Sequence, residues 1–260
     1  MEYQDKCILT KDNITLFEQF HHETSLTNEN NYQFQESISE AFDNPTFMYE
    51  ILKNNLDFSD ASFNVNKDNA NELYNAILNR YSCRSFTNKL LKKEDVIEIL
   101  SISYGKNKKG TYTIPSAGGA YPIKLLIIVK NVDGIEKGMY EYCPKRQKLY
   151  LVSSGDLEVS FITLNEKLYD NSAFSIQFIG NPTYSCYKYQ DRGYRFMNIE
   201  CGHISQNLSL VAQNKGISSI CSGGFLDGEF IKYVNVLSSN KYKNYLMLYE
   251  MFFGIDGDNL

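Results

Sequence analysis

Two arginines four residues apart, Arg80 and Arg84, enclose the hydroxyls of Tyr81 and Ser82 where a helical pattern gives way to a turn. A guanidinium is a planar fork that bonds phosphate oxygens in pairs, and short hydroxyls add single donors beside it. The set suits a phosphorylated, hydroxyl-bearing ligand, although a solvated basic helix end has the same composition. Further along, Lys188 stands next to Tyr189, with Arg192, Tyr194 and Arg195 close behind. Burial and neighbouring charges tune the proton affinity of both an amine and a phenol, which equips such a pair for proton transfer. An exposed polar loop is the plain alternative.

Two small-residue loops accompany these side chains. Pro115-Ser116-Ala117-Gly118-Gly119-Ala120-Tyr121-Pro122 leads directly into an aliphatic run, and the small residues between its prolines let the backbone approach a flat ligand. Ile220-Cys221-Ser222-Gly223-Gly224-Phe225 joins a strand pattern to a helix pattern, where backbone N–H groups serve as donors to a ring or an anion. Either loop could also be an ordinary connection.

Other chemistries lack their patterns. The chain has no HExxH, GxSxG or GxxxxGK[ST] motif and no strand–GxGxxG–helix unit. Its six cysteines are scattered without a CxxC pair, as in a reduced cytosolic protein without a structural metal. With 26 basic against 31 acidic residues there is no cationic field for nucleic acid, so any basic site is local. No apolar run approaches the ~20 residues needed to cross a bilayer, and the opening Met1 to Lys6 has no export-signal pattern.

The elements that must position these residues follow from periodicity. Residues 1–66 read as a helical extension, with a turn-prone linker at Asn64 to Asn69, and 67–260 as one catalytic domain. Leu73, Ile77 and Leu78 predict a helix ending at Arg80, and Val96, Ile97 and Leu100 another before Gly105. Ile123 to Val129 predicts a strand buried on both faces. A strand pair follows at 138–142 and 148–152, then a strand at 174–179. Met197, Cys201, Ile204, Leu208 and Val211 place an apolar stripe on a long helix over 194–215, with Glu200, His203, Gln206 and Asn207 on its other faces. A strand at 217–221, a helix at 227–236 and a strand at 245–253 complete the pattern.

Taken in order, these motifs resemble the nitroreductase superfamily, and within it the SagB-type azoline dehydrogenases of thiazole/oxazole-modified peptide biosynthesis. The resemblance runs from about Arg80 to Gly254 and is most specific in Pro115 to Gly118 with Tyr121-Pro122, in Gly138 to Tyr142, in Leu149 through Asp156, and in Glu200 to Asn207. It implies an α+β sandwich with a central mixed sheet flanked by helices, working as a homodimer with FMN. By motif, Arg80, Tyr81, Ser82 and Arg84, with Arg195, would hold the phosphate and ribityl chain. Pro115, Ser116, Ala117, Gly118 and Gly119 would line the flavin, and Ser222, Gly223 and Gly224 its other side. Lys188 and Tyr189 match the catalytic pair of the azoline oxidases. The resemblance also implies a precursor peptide as substrate and a cyclodehydratase with its docking protein as partners. Simple nitroreductases carry basic residues after the last strand, whereas Gly254-Ile255-Asp256 has none, which shifts the phosphate contacts onto Arg80 and Arg84. An NAD(P)H-dependent nitro, quinone or flavin reductase and a non-catalytic scaffold subunit are the alternatives.

Overall fold

The computed structural model describes residues 16–54, 71–159 and 162–257. The linker expected at Asn64 to Asn69, and Cys7, lie outside the described residues. In chain order the helices are α1 (Leu16–Thr24), α2 (Asn31–Asp43), α3 (Pro45–Asn54), α4 (Glu72–Asn79), α5 (Lys93–Ser103), α6 (Glu166–Asn171), α7 (Pro182–Tyr189), α8 (Arg192–Asn214) and α9 (Asp227–Leu237). The strands are β1 (Phe86–Thr87), β2 (Leu91–Lys92), β3 (Ile123–Val129), β4 (Val132–Asp133), β5 (Gly138–Cys143), β6 (Lys148–Ser154), β7 (Phe174–Gly180), β8 (Ser218–Ser222) and β9 (Leu246–Asp256).

The aliphatic run of β3 serves two cores because successive strand side chains point to opposite faces. Leu125, Ile127 and Val129 pack with Val96, Leu100, Ile204 and Leu208, beneath α5 and α8. Leu126 and Ile128 pack with Phe230 and Val234 of α9 on the other face. Each fully buried aliphatic of this kind contributes about 1.5–3 kcal/mol, so both faces need a helical cover. The α+β sandwich follows. The sheet runs β1-β9-β7-β3-β5-β6, with β8 also on β9. All its ladders are antiparallel. Parallel pairing is confined to β2 with β4 and to a bridge between Ser82 and Ser219.

Helix α8 is the organiser of the helical face. Met197, Cys201, Ile204 and Leu208 are buried along it, and α4, α5 and α7 all pack on it. Gly193 permits the close α7–α8 corner, since a Cβ there would lie 2.7 Å from the Cys186 nitrogen. Helix α4 rests on α8 through Ala76 and leaves Leu73, Ile77 and Leu78 about half exposed.

Part of the N-terminal extension is clamped to this frame. Phe17 stacks on Tyr194 at 5.8 Å between ring centroids, and His21 Nδ1 lies 3.0 Å from the Tyr194 hydroxyl. Burial lowers the proton affinity of His21, with a smaller contribution from the neighbouring His22. Leu26 N donates to Asp227 at the start of α9 at 3.0 Å. By contrast α2 buries no side chain. Among the described residues no helix is long and apolar enough to cross a membrane.

Candidate functional site

The loop before β3 is a tight device. Ala117–Gly119 form a 3₁₀ turn in which Gly118 and Gly119 have φ of 58° and 69°, and Tyr121 follows at 45°. The Ser116 hydroxyl accepts from Tyr121 N at 2.9 Å, and Gly119 N donates to the Ser116 carbonyl at 3.1 Å. The backbone here is left-handed, which a residue with a side chain resists. Space adds a second reason for glycine: a Cβ on Gly118 would come within 2.5 Å of both Lys188 Nζ and Tyr189 Oη. The sequence-predicted loop and the sequence-predicted proton-transfer pair therefore meet at this residue.

Lys188 and Tyr189 are not in a polar loop. They form the last turn of α7, which begins with Asn181 accepting from Thr183 N at 3.0 Å and Pro182 in the first turn. The Tyr189 ring stands edge-on to Phe196 at 5.0 Å, and Lys188 Nζ lies 5.4 Å from the Tyr189 ring centroid. The next residue, Gln190, adopts φ 51° and ψ −144°, a costly conformation for a non-glycine. It ends α7 and turns the chain straight into α8.

Behind the loop sits Glu200. The expectation that it faces away from the apolar stripe does not hold: it is only 2% exposed. Its position explains this, since it lies three residues after Met197 and four before Ile204. Burial pushes its carboxyl up to about 7, against the opposing pull of the Ser116 hydroxyl and the Ile123 backbone. Its Oε1 is buried and takes no hydrogen bond among the described residues. His203 and Gln206 are exposed, and Asn207 donates to the Ser103 carbonyl at 3.2 Å.

The arginine segment joins the other loop. Cys83 N donates to Ser219 O at 3.1 Å, so Arg80 to Arg84 run beside β8; burial pushes the Cys221 thiol up, against a smaller opposing pull from the nearby Arg80 charge. Among the described residues no carboxylate pairs with Arg80, Arg84 or Arg195. Tyr81 is used differently, its hydroxyl donating to Asp256 at the end of the last strand. At the end of β8, Ser222 Oγ accepts from Asn165 Nδ2 at 2.7 Å and from Gly224 N at 2.9 Å. Glu250 on β9 accepts from Asn165 and Thr163, each at 3.2 Å. Burial raises its carboxyl to about 8. Neither Glu250 nor Asn165 is evident from motifs; a lone acid inside an apolar strand is the signal that would have marked Glu250.

Helix α8 sets the distance between the two groups. Glu200 backs the first loop, and Ser209 Oγ lies 3.3 Å from Ser219 Oγ beside the second. Nine residues of helical rise separate them, about 14 Å. Arg195 falls outside the second group, about 21 Å of rise from Ser209. It lines a cavity of about 960 Å³ with Phe17, Phe20 and Tyr194 beneath α1. Among the described residues no three His, Cys, Asp or Glu side chains converge as metal ligands.

This arrangement has relatives. The Nitroreductase family model matches residues 77–249. The nitroreductase-type protein MJ1384 of Methanocaldococcus jannaschii is 29% identical over 161 residues, covering 61% of this chain and 81% of that one. The microcin B17-processing protein McbC of Escherichia coli is 28% identical over 130 residues, and the chain spans about half of it, 47%. Among solved structures, a nitroreductase-type protein from Anabaena variabilis has a TM-score of 0.62 at 23% identity, covering 71% of this chain and 38% of that one. A chain of the E. coli microcin synthetase McbBCD complex, solved with truncated pro-MccB17 bound, has a TM-score of 0.57 at 20% identity, covering 94% and 98%.

Proposed function

Since the chain belongs to the nitroreductase family, we propose that it is an FMN-dependent dehydrogenase of the SagB type, oxidising thiazoline or oxazoline rings of a ribosomally made peptide to azoles. The observation that carries this reading is the packing of Lys188 Nζ and Tyr189 Oη against Gly118, which puts a proton-transfer pair on a loop able to lie along a flat ring. The likeness to McbC supports it. The residues fit the cofactor. Arg80 and Arg84 have no carboxylate partner among the described residues, Ser82 lies between them, and Gly118, Gly119 and Gly223 are exposed on the two loops.

When bound, FMN supplies the acceptor for the hydride that leaves the azoline. Lys188, with Tyr189 beside it, takes the proton from the ring carbon next to the peptide carbonyl, which acidifies that position. The ring thus loses two hydrogens, one as proton and one as hydride. Phe196 fixes the Tyr189 ring, and Gly118 allows the pair to close on the loop. The apolar outer face of α4 would be covered in a homodimer, and a cyclodehydratase with its docking protein would deliver the peptide. The test is an absorption spectrum of the purified protein followed by turnover of an azoline peptide. Lys188→Ala should keep bound FMN and lose azole formation. Flavin that is bleached rapidly by NADPH in a protein inert to azolines would instead identify a nicotinamide-dependent reductase.

A further inference from the structure

We propose that Asn165 is a positioning residue for the 222–224 loop, holding it in its ligand-ready shape before FMN arrives. This role rests on the proposed contact of that loop with the flavin, while the hydrogen bonds that support it stand without that contact. Asn165 occupies the N-cap position of α6, where an asparagine side chain ordinarily accepts from the first free N–H groups of its own helix. Here it makes no such bond. Its Nδ2 turns instead to the loop, donating to Ser222 Oγ at 2.7 Å, to the Gly224 carbonyl at 3.2 Å and to Glu250 Oε1 at 3.2 Å. An amide has two N–H donors, so these three acceptors share them. The side chain serves the loop and leaves its own helix without a side-chain cap.

The backbone around Asn165 is zipped to the same loop. Leu164 N donates to the Gly224 carbonyl at 2.8 Å, and Leu226 N to the Ile162 carbonyl at 2.7 Å. Those bonds fix residues 224 and 226 but leave the Ser222 side chain to Asn165. Ser222 Oγ accepts from Asn165 Nδ2 and, at 2.9 Å, from Gly224 N, which fills both acceptor sites of the hydroxyl. Gly224 closes the fit, since a Cβ there would come within 2.8 Å of Asn165 Nδ2. Gly223, between these anchored residues, is exposed. The turn is thus shaped by groups of the chain itself, which is what preorganisation of a ligand-binding loop requires.

The experiment uses the full chain labelled with ¹⁵N-glycine, freed of FMN and then reloaded. In the FMN-free wild type the Gly224 amide should already be protected from hydrogen exchange, and adding FMN should change that protection little. Asn165→Asp keeps the size and the N-cap capacity of the side chain but has no N–H. It should expose the Gly224 amide and weaken FMN binding to the folded protein roughly tenfold, as loss of a partly buried donor does. Glu250→Gln retains an oxygen to accept from Asn165, so its FMN affinity should stay within about twofold of the wild type. Rapid Gly224 exchange in the FMN-free wild type would make the flavin itself the organiser of the loop and overturn the proposal. So would an Asn165→Asp protein that binds FMN as the wild type does, or an equal loss of affinity in Glu250→Gln. If Asn165→Asp does not fold, the wild-type exchange still decides it. A chain that takes up no FMN would sink the proposed function, whereas one that binds FMN equally with and without the Asn165 amide would sink this role alone.

Discussion

The two small-residue loops solve one problem in opposite ways. Each presents a serine backed by a buried glutamate, Ser116 by Glu200 and Ser222 by Glu250. The first loop is built from left-handed backbone and its carboxyl keeps an unbonded oxygen. The second has ordinary backbone at Gly223 and Gly224, and Asn165 ties Ser222, Gly224 and Glu250 together. Strain is held where proton transfer is proposed, and a satisfied polar network is held where an anion or ring would only rest.

Substitution at glycine is the sharpest way to break this contrast. Gly118→Ala places a methyl group where Lys188 Nζ and Tyr189 Oη now lie, on backbone that already disfavours it. It should cost on the order of a hundredfold in azoline turnover, since ångström-scale misplacement of reacting groups has that effect. Single-turnover rates with the FMN content measured alongside would check it.

Glu250→Gln tests the network side through pH. The folded carboxyl is raised from its usual 4.5 to about 8, so the folded state holds a proton that the unfolded chain releases. Its contribution is fully present below pH 4.5 and is lost as pH rises to about 8. Denaturation midpoints at pH 5 and pH 8 should differ in the wild type and differ less in Glu250→Gln, which should be the more stable of the two at pH 8.

The smallest effect belongs to Gly223→Ala. A Cβ there meets nothing within 4 Å and the backbone is not left-handed. Stability should stay within about 0.5 kcal/mol, by the same denaturation assay. A large loss would mean that the second loop is as constrained as the first.

Much of the frame was legible because it is periodic. The aliphatic run of β3 and the stripe on α8 each expose a repeat that only one geometry satisfies. Partners distant in sequence were harder. Lys188 and Tyr189 read as a loop because α7 is one short helix whose apolar side is narrow, with Ser185 and Cys186 as its buried residues. Leu73, Ile77 and Leu78 marked a helix correctly, but periodicity does not say which neighbour covers it, and within one chain the α4 contact is Ala76. The union of Gly118 with Lys188 comes from two elements 70 residues apart, and no local pattern encodes it. Glu200 was misplaced for another reason: its charge outweighed its spacing.

The placement of β9 has a consequence for how the protein is made. Strand β9 pairs with β1, β7 and β8, so the halves of the sheet are joined only through residues 246–256. During synthesis β3, β5 and β6 can assemble early as a meander and β7 then adds to the free edge of β3, leaving the other edge of β7 bare until β9 emerges. The arginine segment and β8 meanwhile lack the strand that fixes them to it. The nascent chain therefore carries the corner proposed for proton transfer well before the edge proposed to bind an anion is fixed, and its window of vulnerability to mispairing closes with the arrival of one strand.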